Sequence, residues 1–450
     1  MKTVAFHNLG CKVNAYEIEM MQQNALKAGW QIVDFSQKAD IYVINTCSVT
    51  NIADRKSRQM LHKAKKQNND AVVVAVGCYA QTDTKGAQAD EAVDIVIGNN
   101  HKSELVSIVE DYMASKSNNV VVEDLSRPVE YEDCGIDASI LRTRVDVKIQ
   151  DGCDQFCTYC IIPYARGRIR SRRPEQVTEE ITGLAKAGYR EVVITGIHLS
   201  SYGLDLLEEP TSYNAVAKKA FTNEALIDVI ERVAGIEGIE RVRLGSLEPR
   251  VITKEFLERI SAIKEICPHF HLSLQSGCDD TLVRMNRRYT CDEYAQSVRL
   301  IREYFEHPAI TTDIIVGFPM ESEEEFERSK NFVESIGFYE THIFKYSRRK
   351  GTVADRMQGQ LTDAVKSARS DVLEQICAVN KRAFETKLIG KEEEILTEEH
   401  IIYEGNTYTV GHTKNYVRMA VFGQLELNEF VRGQVGGFLQ NDTMLLKTTG

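Results

Sequence analysis

The sequence predicts an α/β protein in three parts: a doubly wound parallel-sheet domain, a central partial (β/α)6 barrel and a small C-terminal β-barrel. Three observations predict it. Short β-prone runs alternate with helical patterns over residues 1–115. A second alternation, with six strand-like runs, starts near Arg144. From about Lys391 the helical pattern stops, and short β-prone runs are cut by Gly or Asn. Strands that alternate with helices are joined by crossovers and lie parallel, whereas closely spaced short strands close into sandwiches or barrels.

In residues 1–115, strands are expected at Lys2–His7, Ile41–Asn45, Ala71–Val76 and Asp94–Ile97, with helices near Tyr16–Ala28, Ile52–Lys66 and Lys102–Met113. Residues 116–143 are polar and partly acidic and read as a linker, with one strand at Val120–Val122. The central part, residues 144–375, has strand-like runs at Val145–Gln150, Glu191–Thr195, Arg241–Leu244, Phe270–Leu274, Ile310–Val316 and Glu340–Phe344. Helical patterns such as Pro174–Ala187 and Asp292–Phe305 separate them. Such a barrel carries its site at the C-terminal ends of its strands. A long helix is expected over Asp363–Leu388, and residues 376–450 hold its end and the small barrel. Strands of that barrel are expected at Glu394–Leu396, Tyr408–Val410, Tyr416–Val421, Phe430–Gln434 and Met444–Lys447.

The 450 residues are 43% hydrophobic and 27% charged, which excludes a disordered chain, a collagen and a coiled-coil rod. The net charge of -11 argues against a partner held over a wide electrostatic face, such as bulk DNA. MKTVAFHNLGCKVN has no long apolar segment, and no stretch approaches about 18 uninterrupted apolar residues. A cytoplasmic chain without membrane association is therefore expected. The 11 cysteines are odd in number and lack a secretory context, so a disulfide framework is not expected. Buried thiols, a catalytic thiol or metal ligands remain.

Spacing separates these. In QDGCDQFCTYCIIPYARG, Cys153, Cys157 and Cys160 form C-x3-C-x2-C just after the first barrel strand, at the mouth of the barrel. Three close thiolates can hold three irons of a 4Fe–4S cluster and leave the fourth iron open to a chelating ligand. Zinc is the alternative, but it usually takes four ligands, and no fourth cysteine lies nearby. Cys11, Cys47 and Cys78 look scattered, yet NLGCKVN, NTCSVT and VGCYAQ each follow a predicted strand of the first domain. Strand C-terminal ends of a parallel sheet share one edge, so these thiols converge there, either as a second ligand set or as core residues. Cys134, Cys267, Cys278, Cys291 and Cys377 show no ligand spacing and read as ordinary thiols.

The C-x3-C-x-Φ-C motif, with Tyr159 as the aromatic residue, resembles the radical S-adenosylmethionine (SAM) superfamily. That resemblance implies that SAM chelates the open iron and is cleaved reductively, and it implies a partial (β/α)6 barrel. Candidate SAM contacts at strand ends are Thr195, Gly196, Ser246, Glu248, Ser273, Gln275, Val316, Gly317 and Phe318, although glycine-containing strand ends are often only tight turns. With the N-terminal segments and the β tail included, nearly the whole chain resembles the radical-SAM methylthiotransferases. This implies an auxiliary 4Fe–4S cluster on Cys11, Cys47 and Cys78, and a C-terminal RNA-binding barrel of the TRAM type. GCKVNAYE, TGIHLSSYG and GHTKNY resemble the branch acting at C2 of N6-threonylcarbamoyladenosine in tRNA. The alternatives are a branch acting on isopentenyladenosine tRNA or on a ribosomal-protein aspartate, or a non-catalytic Fe–S protein that binds RNA.

Candidate RNA contacts are Arg166, Arg168 and Arg170 in the basic run that continues to Arg173, with Arg348 and Arg349 after the last barrel strand. Lys414, Tyr416 and Arg418 are expected to alternate on one strand of the tail, a face that suits single-stranded RNA. A solvated charged face would look the same in both places. The implied partners are a tRNA anticodon loop and an electron donor such as a flavodoxin-like protein, with the chain a monomer.

Overall fold

The computed structural model describes residues 1–448 apart from 118, 128, 134 and 137–142. Cys134, expected to be an ordinary linker thiol, thus lies outside the described residues. In the first domain, β1 (Thr3–Asn8), β2 (Gln31–Ile32), β3 (Ile41–Thr46), β4 (Val72–Gly77), β5 (Ile95–Ile97) and β6 (Val120–Val121) form one parallel sheet in the order β2-β1-β3-β4-β5-β6. Helices α1 (Lys12–Lys27), α2 (Asn51–Gln67), α3 (Cys78–Thr82), α4 (Thr84–Gln88) and α5 (Leu105–Ser115) make the crossovers. Every residue of β3 and β4 is buried, which is why IYVINT and VVVAVG read as continuous runs and not as alternating strands.

The central barrel strands are β7 (Arg144–Asp151), β9 (Glu191–Gly196), β10 (Arg241–Leu244), β11 (His269–His271), β12 (Ala309–Val316) and β13 (Glu340–Lys345); β8 (Arg170–Ser171) pairs antiparallel with the end of β7. The order β10-β9-β7 and the order β11-β12-β13 are joined by the parallel bridges Val242–Ile266 and Leu247–Leu272. Six parallel strands therefore follow one another as an open barrel. Its helices are α6 (Ile162–Arg166), α7 (Pro174–Lys186), α8 (Tyr213–Val216), α9 (Glu224–Ala234), α10 (Lys254–Ser261), α11 (Asp279–Arg284), α12 (Cys291–Tyr304), α13 (Glu323–Ile336) and α14 (Asp363–Thr386). One continuous core joins Tyr16, Met20 and Met21 of α1 to Val145 and Val147 of β7, so the first domain and the barrel share buried apolar surface. The division expected at 375/376 falls inside α14, which packs on β13 and reaches the small barrel through Phe384.

The small barrel closes as β14 (Glu392–Tyr403), β15 (Asn406–His412), β16 (Arg418–Phe422), β18 (Thr443–Lys447) and β17 (Phe430–Gln440), around Ile395, Val417, Met419, Val421, Val435, Met444 and Leu446. No helix of the described residues is long and apolar enough to cross a membrane.

Candidate active site

Cys11, Cys47 and Cys78 follow β1, β3 and β4, which are neighbours in the sheet. Cys11 is the N-cap of α1, and Cys78 opens α3. The loops are built around small residues and amides. Gly77 has φ +98°, and a β-carbon there would lie 2.4 Å from Asn45 Oδ1. The Asn45 side chain donates to the Asn14 carbonyl at 3.0 Å, and Asn14 donates to the Thr46 carbonyl at 3.3 Å. Burial, with Cys78 and Cys11 as like neighbours, pushes the Cys47 thiol up to about 11. Three bare thiolates could not share this edge, whereas a bound cation would stabilise them.

The second triad leaves β7 through Gly152, whose φ is +71° and where a β-carbon would strike the Arg168 carbonyl at 1.8 Å. The C-terminal end of α11 holds the loop in place. Thr158 N–H donates to the Met285 carbonyl at 3.0 Å, Thr158 Oγ1 to the Arg284 carbonyl at 2.8 Å, and Asn286 Nδ2 to the Phe156 carbonyl at 3.1 Å. Burial and Cys157 push the Cys160 thiol up to about 12. Among the described residues, the three-ligand groups with atoms within 4.8 Å of one another are His271–Asp313–His342 and Cys278–Asp280–Glu325. Neither cysteine triad is that tight. One zinc ion with Zn–S of about 2.3 Å needs its sulfurs about 3.8 Å apart, so the wider spread fits a cluster of several irons.

Two adjoining cavities meet at Cys11, and the first of them lies between the triads. The first, about 350 Å³, is lined by Cys11 and Cys160 together with Tyr159, Gln275, Asp313, Ile315 and Tyr346. The second, about 570 Å³, shares Cys11 and Asp313 and adds Lys12, Thr195, Gly196, Ser246, His269, His271, His342 and Tyr416. Of the expected SAM contacts, Gln275, Thr195, Gly196 and Ser246 line these cavities. Glu248, Ser273, Val316, Gly317 and Phe318 do not. Val316 belongs to the core, and Phe318 packs edge-on between Tyr159 and Tyr346. Glu248 is buried and accepts from Tyr213. Cys267, Cys278, Cys291 and Cys377 line neither cavity.

Of the polar group around Cys157, the sequence anticipated Glu248 but not Arg287, His198 or Gln155. Arg287 Nη1 lies 3.4 Å from Cys157 Sγ, stacks over Tyr289 and has no carboxylate within ion-pair distance among the described residues. Nearby, burial drives His198 down to about 3, so its ring is neutral; it pairs with Gln155 at 3.0 Å. Gln155 Oε1 and Glu248 Oε1 are buried acceptors without partners. A guanidinium that donates to Tyr289 Oη at 3.0 Å and the Ser273 carbonyl at 3.4 Å but has no carboxylate, with two orphan acceptors, fits the carboxylate, amine and hydroxyls of SAM. Only TGIHLSSYG signalled His198. Arg287 and Glu248 are far from the cysteine loop in sequence, and the folded loop brings them to it.

The basic run is corrected by the structure. Arg166 is fully buried; it bonds Glu17 at 2.9 Å, Asp151 at 3.1 Å and Asn14 at 2.8 Å. Arg170 is buried against Asp151 at 3.4 Å, and Arg172 against Glu180. Arg349 is buried on Asp54 at 2.7 Å and Ser48 at 2.7 Å. None of these is free for RNA, because buried carboxylates claim them. Arg168 and Arg348 stay half-exposed, at 52% and 56%, beside Asp154 at 3.5 Å and Asp355 at 3.1 Å. Lys414 and Tyr416 precede β16 and face the central barrel. Lys414 Nζ donates to the Lys264 carbonyl at 2.6 Å, and Tyr416 sits between the Arg144 and Arg243 guanidiniums. Arg418 is held by Glu399 at 2.8 Å. The expected alternating strand face therefore does not form.

Residues 3–98 match the uncharacterized protein family UPF0004, and residues 147–333 match the radical SAM superfamily. The chain is 40% identical to the threonylcarbamoyladenosine tRNA methylthiotransferase MtaB of Bacillus subtilis (strain 168) over 94% of this chain and 91% of that protein. It is 38% identical to the protein of the same name from Aquifex aeolicus (strain VF5) over 95% and 99%. Among solved structures, the radical S-adenosylmethionine methyltransferase TsrM of Kitasatospora setae, with cobalamin and a 4Fe–4S cluster bound, superposes with a TM-score of 0.53 over 76% of this chain and 72% of that one, at 14% identity. This likeness is one of fold.

Proposed function

The chain belongs to the radical-SAM methylthiotransferase family, and we propose that it adds a methylthio group to C2 of N6-threonylcarbamoyladenosine next to the tRNA anticodon, at position 37. The observation that carries this is that Cys11 of one triad and Cys160 of the other open onto one cavity. A base seated there would face both the radical source and the sulfur carrier. The relatives at 40% and 38% identity, both named for threonylcarbamoyladenosine tRNA, support the choice of substrate.

Cys153, Cys157 and Cys160 would hold one 4Fe–4S cluster, and Cys11, Cys47 and Cys78 the other. SAM at the first supplies the radical chemistry that an unactivated aromatic C–H requires and that acid–base side chains cannot provide. The protein's own groups bind and orient. Arg287 suits the methionine carboxylate, and Glu248 and Gln155 offer acceptors to the amine and hydroxyls. Tyr159 and Gln275 wall the first cavity, and Ile315 and Tyr346 close it with apolar surface that excludes water. Arg168 and Arg348, each half-exposed beside its pairing carboxylate, and the exposed Arg173 are the arginines of the two basic segments that would reach RNA phosphates. The anticodon loop presents the base unstacked at small cost. The site is complete within one chain, in keeping with a monomer acting in the cytoplasm, and a flavodoxin-like protein would supply the electron.

The test is nucleoside mass spectrometry with triad variants. Ala at Cys153, Cys157 and Cys160 should remove about half of about eight irons and all 5′-deoxyadenosine. Ala at Cys11, Cys47 and Cys78 should spare reductive SAM cleavage and abolish the methylthio product. Zinc as the sole metal, or product from the second variant at the normal rate, would refute the assignment.

A further inference from the structure

A guanidinium fork would suit the threonyl carboxylate, but Arg166, Arg170 and Arg349 are spent in buried ion pairs. The second cavity offers other groups. Its acids are already matched: Asp313 faces His271 Nε2 at 3.3 Å, and Glu340 holds Lys381 at 2.6 Å. Its one lysine, Lys12, has no ion-pair partner among the described residues; burial pulls its ammonium below the usual range, Asp146 and Glu191 oppose this, and the Arg243 and Arg144 guanidiniums add to it. His269 is 8% exposed, and its buried Nδ1 meets no hydrogen-bond partner. His342 stacks on His271 at 6.0 Å, and Thr311 fixes His271 through Nδ1 at 3.0 Å. The chamber thus holds one unmatched cation and one orphan imidazole nitrogen, next to Cys11. At about 570 Å³ it is within the range of small-ligand sites.

The geometry points to this chamber as the receptor for the threonyl arm of the modified base, with Lys12 pairing its carboxylate and His269 and His342 taking its other polar groups; this rests on the substrate reading above. A hydrocarbon arm of the same size would strip water from Lys12 and the imidazoles without replacing their hydrogen bonds, so the same walls reject it. No single spacing in the sequence could have revealed the set, because its members come from α1, β11 and β13.

The experiment uses reconstituted holoenzyme and anticodon stem–loop RNA bearing either threonylcarbamoyladenosine or its carboxamide analogue. Wild type should prefer the carboxylate in kcat/KM by about tenfold to a hundredfold, the usual size of one charge-assisted contact. Lys12→Gln should bring that preference close to one by slowing only the carboxylate substrate, and Lys12→Arg should restore part of it. An equal loss on both RNAs in Lys12→Gln would overturn the proposal, since Lys12 would then act on the cluster loop or the fold. If that variant fails to load iron, Lys12→Arg alone carries the ratio test, and His269→Gln and His342→Gln should slow both RNAs by the same factor at unchanged iron content; unchanged turnover in both histidine variants would overturn the proposal. A wild-type ratio near one would overturn the proposal and leave the substrate reading intact. Failure of wild type on threonylcarbamoylated RNA, with turnover of another substrate, would remove the reading beneath it. An extra equivalent of metal, lost in His342→Gln, would also overturn it by placing an ion where the carboxylate must lie.

Discussion

Gly77 sits where the chain turns from β4 into Cys78, at φ +98°, and a β-carbon there would lie only 2.4 Å from Asn45 Oδ1. Gly77→Ala should cost about 1–3 kcal/mol from the left-handed backbone alone. It should also displace Asn45, and with it the Asn14 carbonyl beside Cys11. The expected outcome is loss of about half the iron with 5′-deoxyadenosine formation kept, read by iron analysis and SAM-cleavage assay. Arg287→Lys is the matching test at the other triad. A lysine keeps the charge but loses the fork, so SAM affinity should fall about tenfold while iron content holds, as equilibrium binding would report. Cys153, Cys157 and Cys160 were legible from their spacing, and Cys11, Cys47 and Cys78 because strand ends of a parallel sheet share one edge. The arginines were not, because Glu17 and Asp54 claim Arg166 and Arg349 from far along the chain, and the burial that fixes Arg170 on Asp151 and Arg172 on Glu180 exists only in the fold.

Among the elements, α1 carries the most. Its Glu17 lies in a buried network with Asp151 and the cations Lys102, Lys148, Arg166 and Arg170. These come from α1, β7, the end of α6, β8 and the loop before α5, so one ionic cluster ties the helix that follows Cys11 to the strand that leads to Cys153. The surrounding cations hold the Glu17 carboxyl far below the ordinary range. Glu17→Gln should cost about 3–5 kcal/mol by leaving buried cations unmatched. The measurement is denaturant unfolding under anaerobic conditions, in which the midpoint should fall without a change in slope. The strand and helix rhythm predicted α1 correctly as an element. Its polar side could not be assigned, because a buried acid and a solvated one look alike until the neighbouring barrel is in place.

At the scale of the whole molecule, the small barrel is docked rather than tethered. Arg243 of β10 donates to the Lys414 carbonyl at 2.9 Å, pairs with Glu191 at 2.9 Å and stacks on Tyr416. Arg241 reaches the carbonyls of His412 at 2.8 Å and Glu394 at 2.9 Å. Arg243→Met should therefore loosen the module, exposing the chain near Ile389–Lys391 to protease and weakening tRNA binding. Unchanged proteolysis would show that the ion pairs are dispensable. The three-part architecture was readable from hydrophobic period and strand spacing. The inward turn of Tyr416 was not, because its φ of +70° takes it out of the strand on which alternation would have placed it.

Cys11 lines both cavities, and under the proposed function this would set the itinerary of the substrate. A base held at that junction stays where it is while the reagents are brought to it from two sides. The tRNA then needs one encounter per product, and no half-reacted nucleoside has reason to leave. In a pulse–chase with labelled and unlabelled RNA, every molecule committed to radical attack should finish on the enzyme that began it, whatever the excess of competitor.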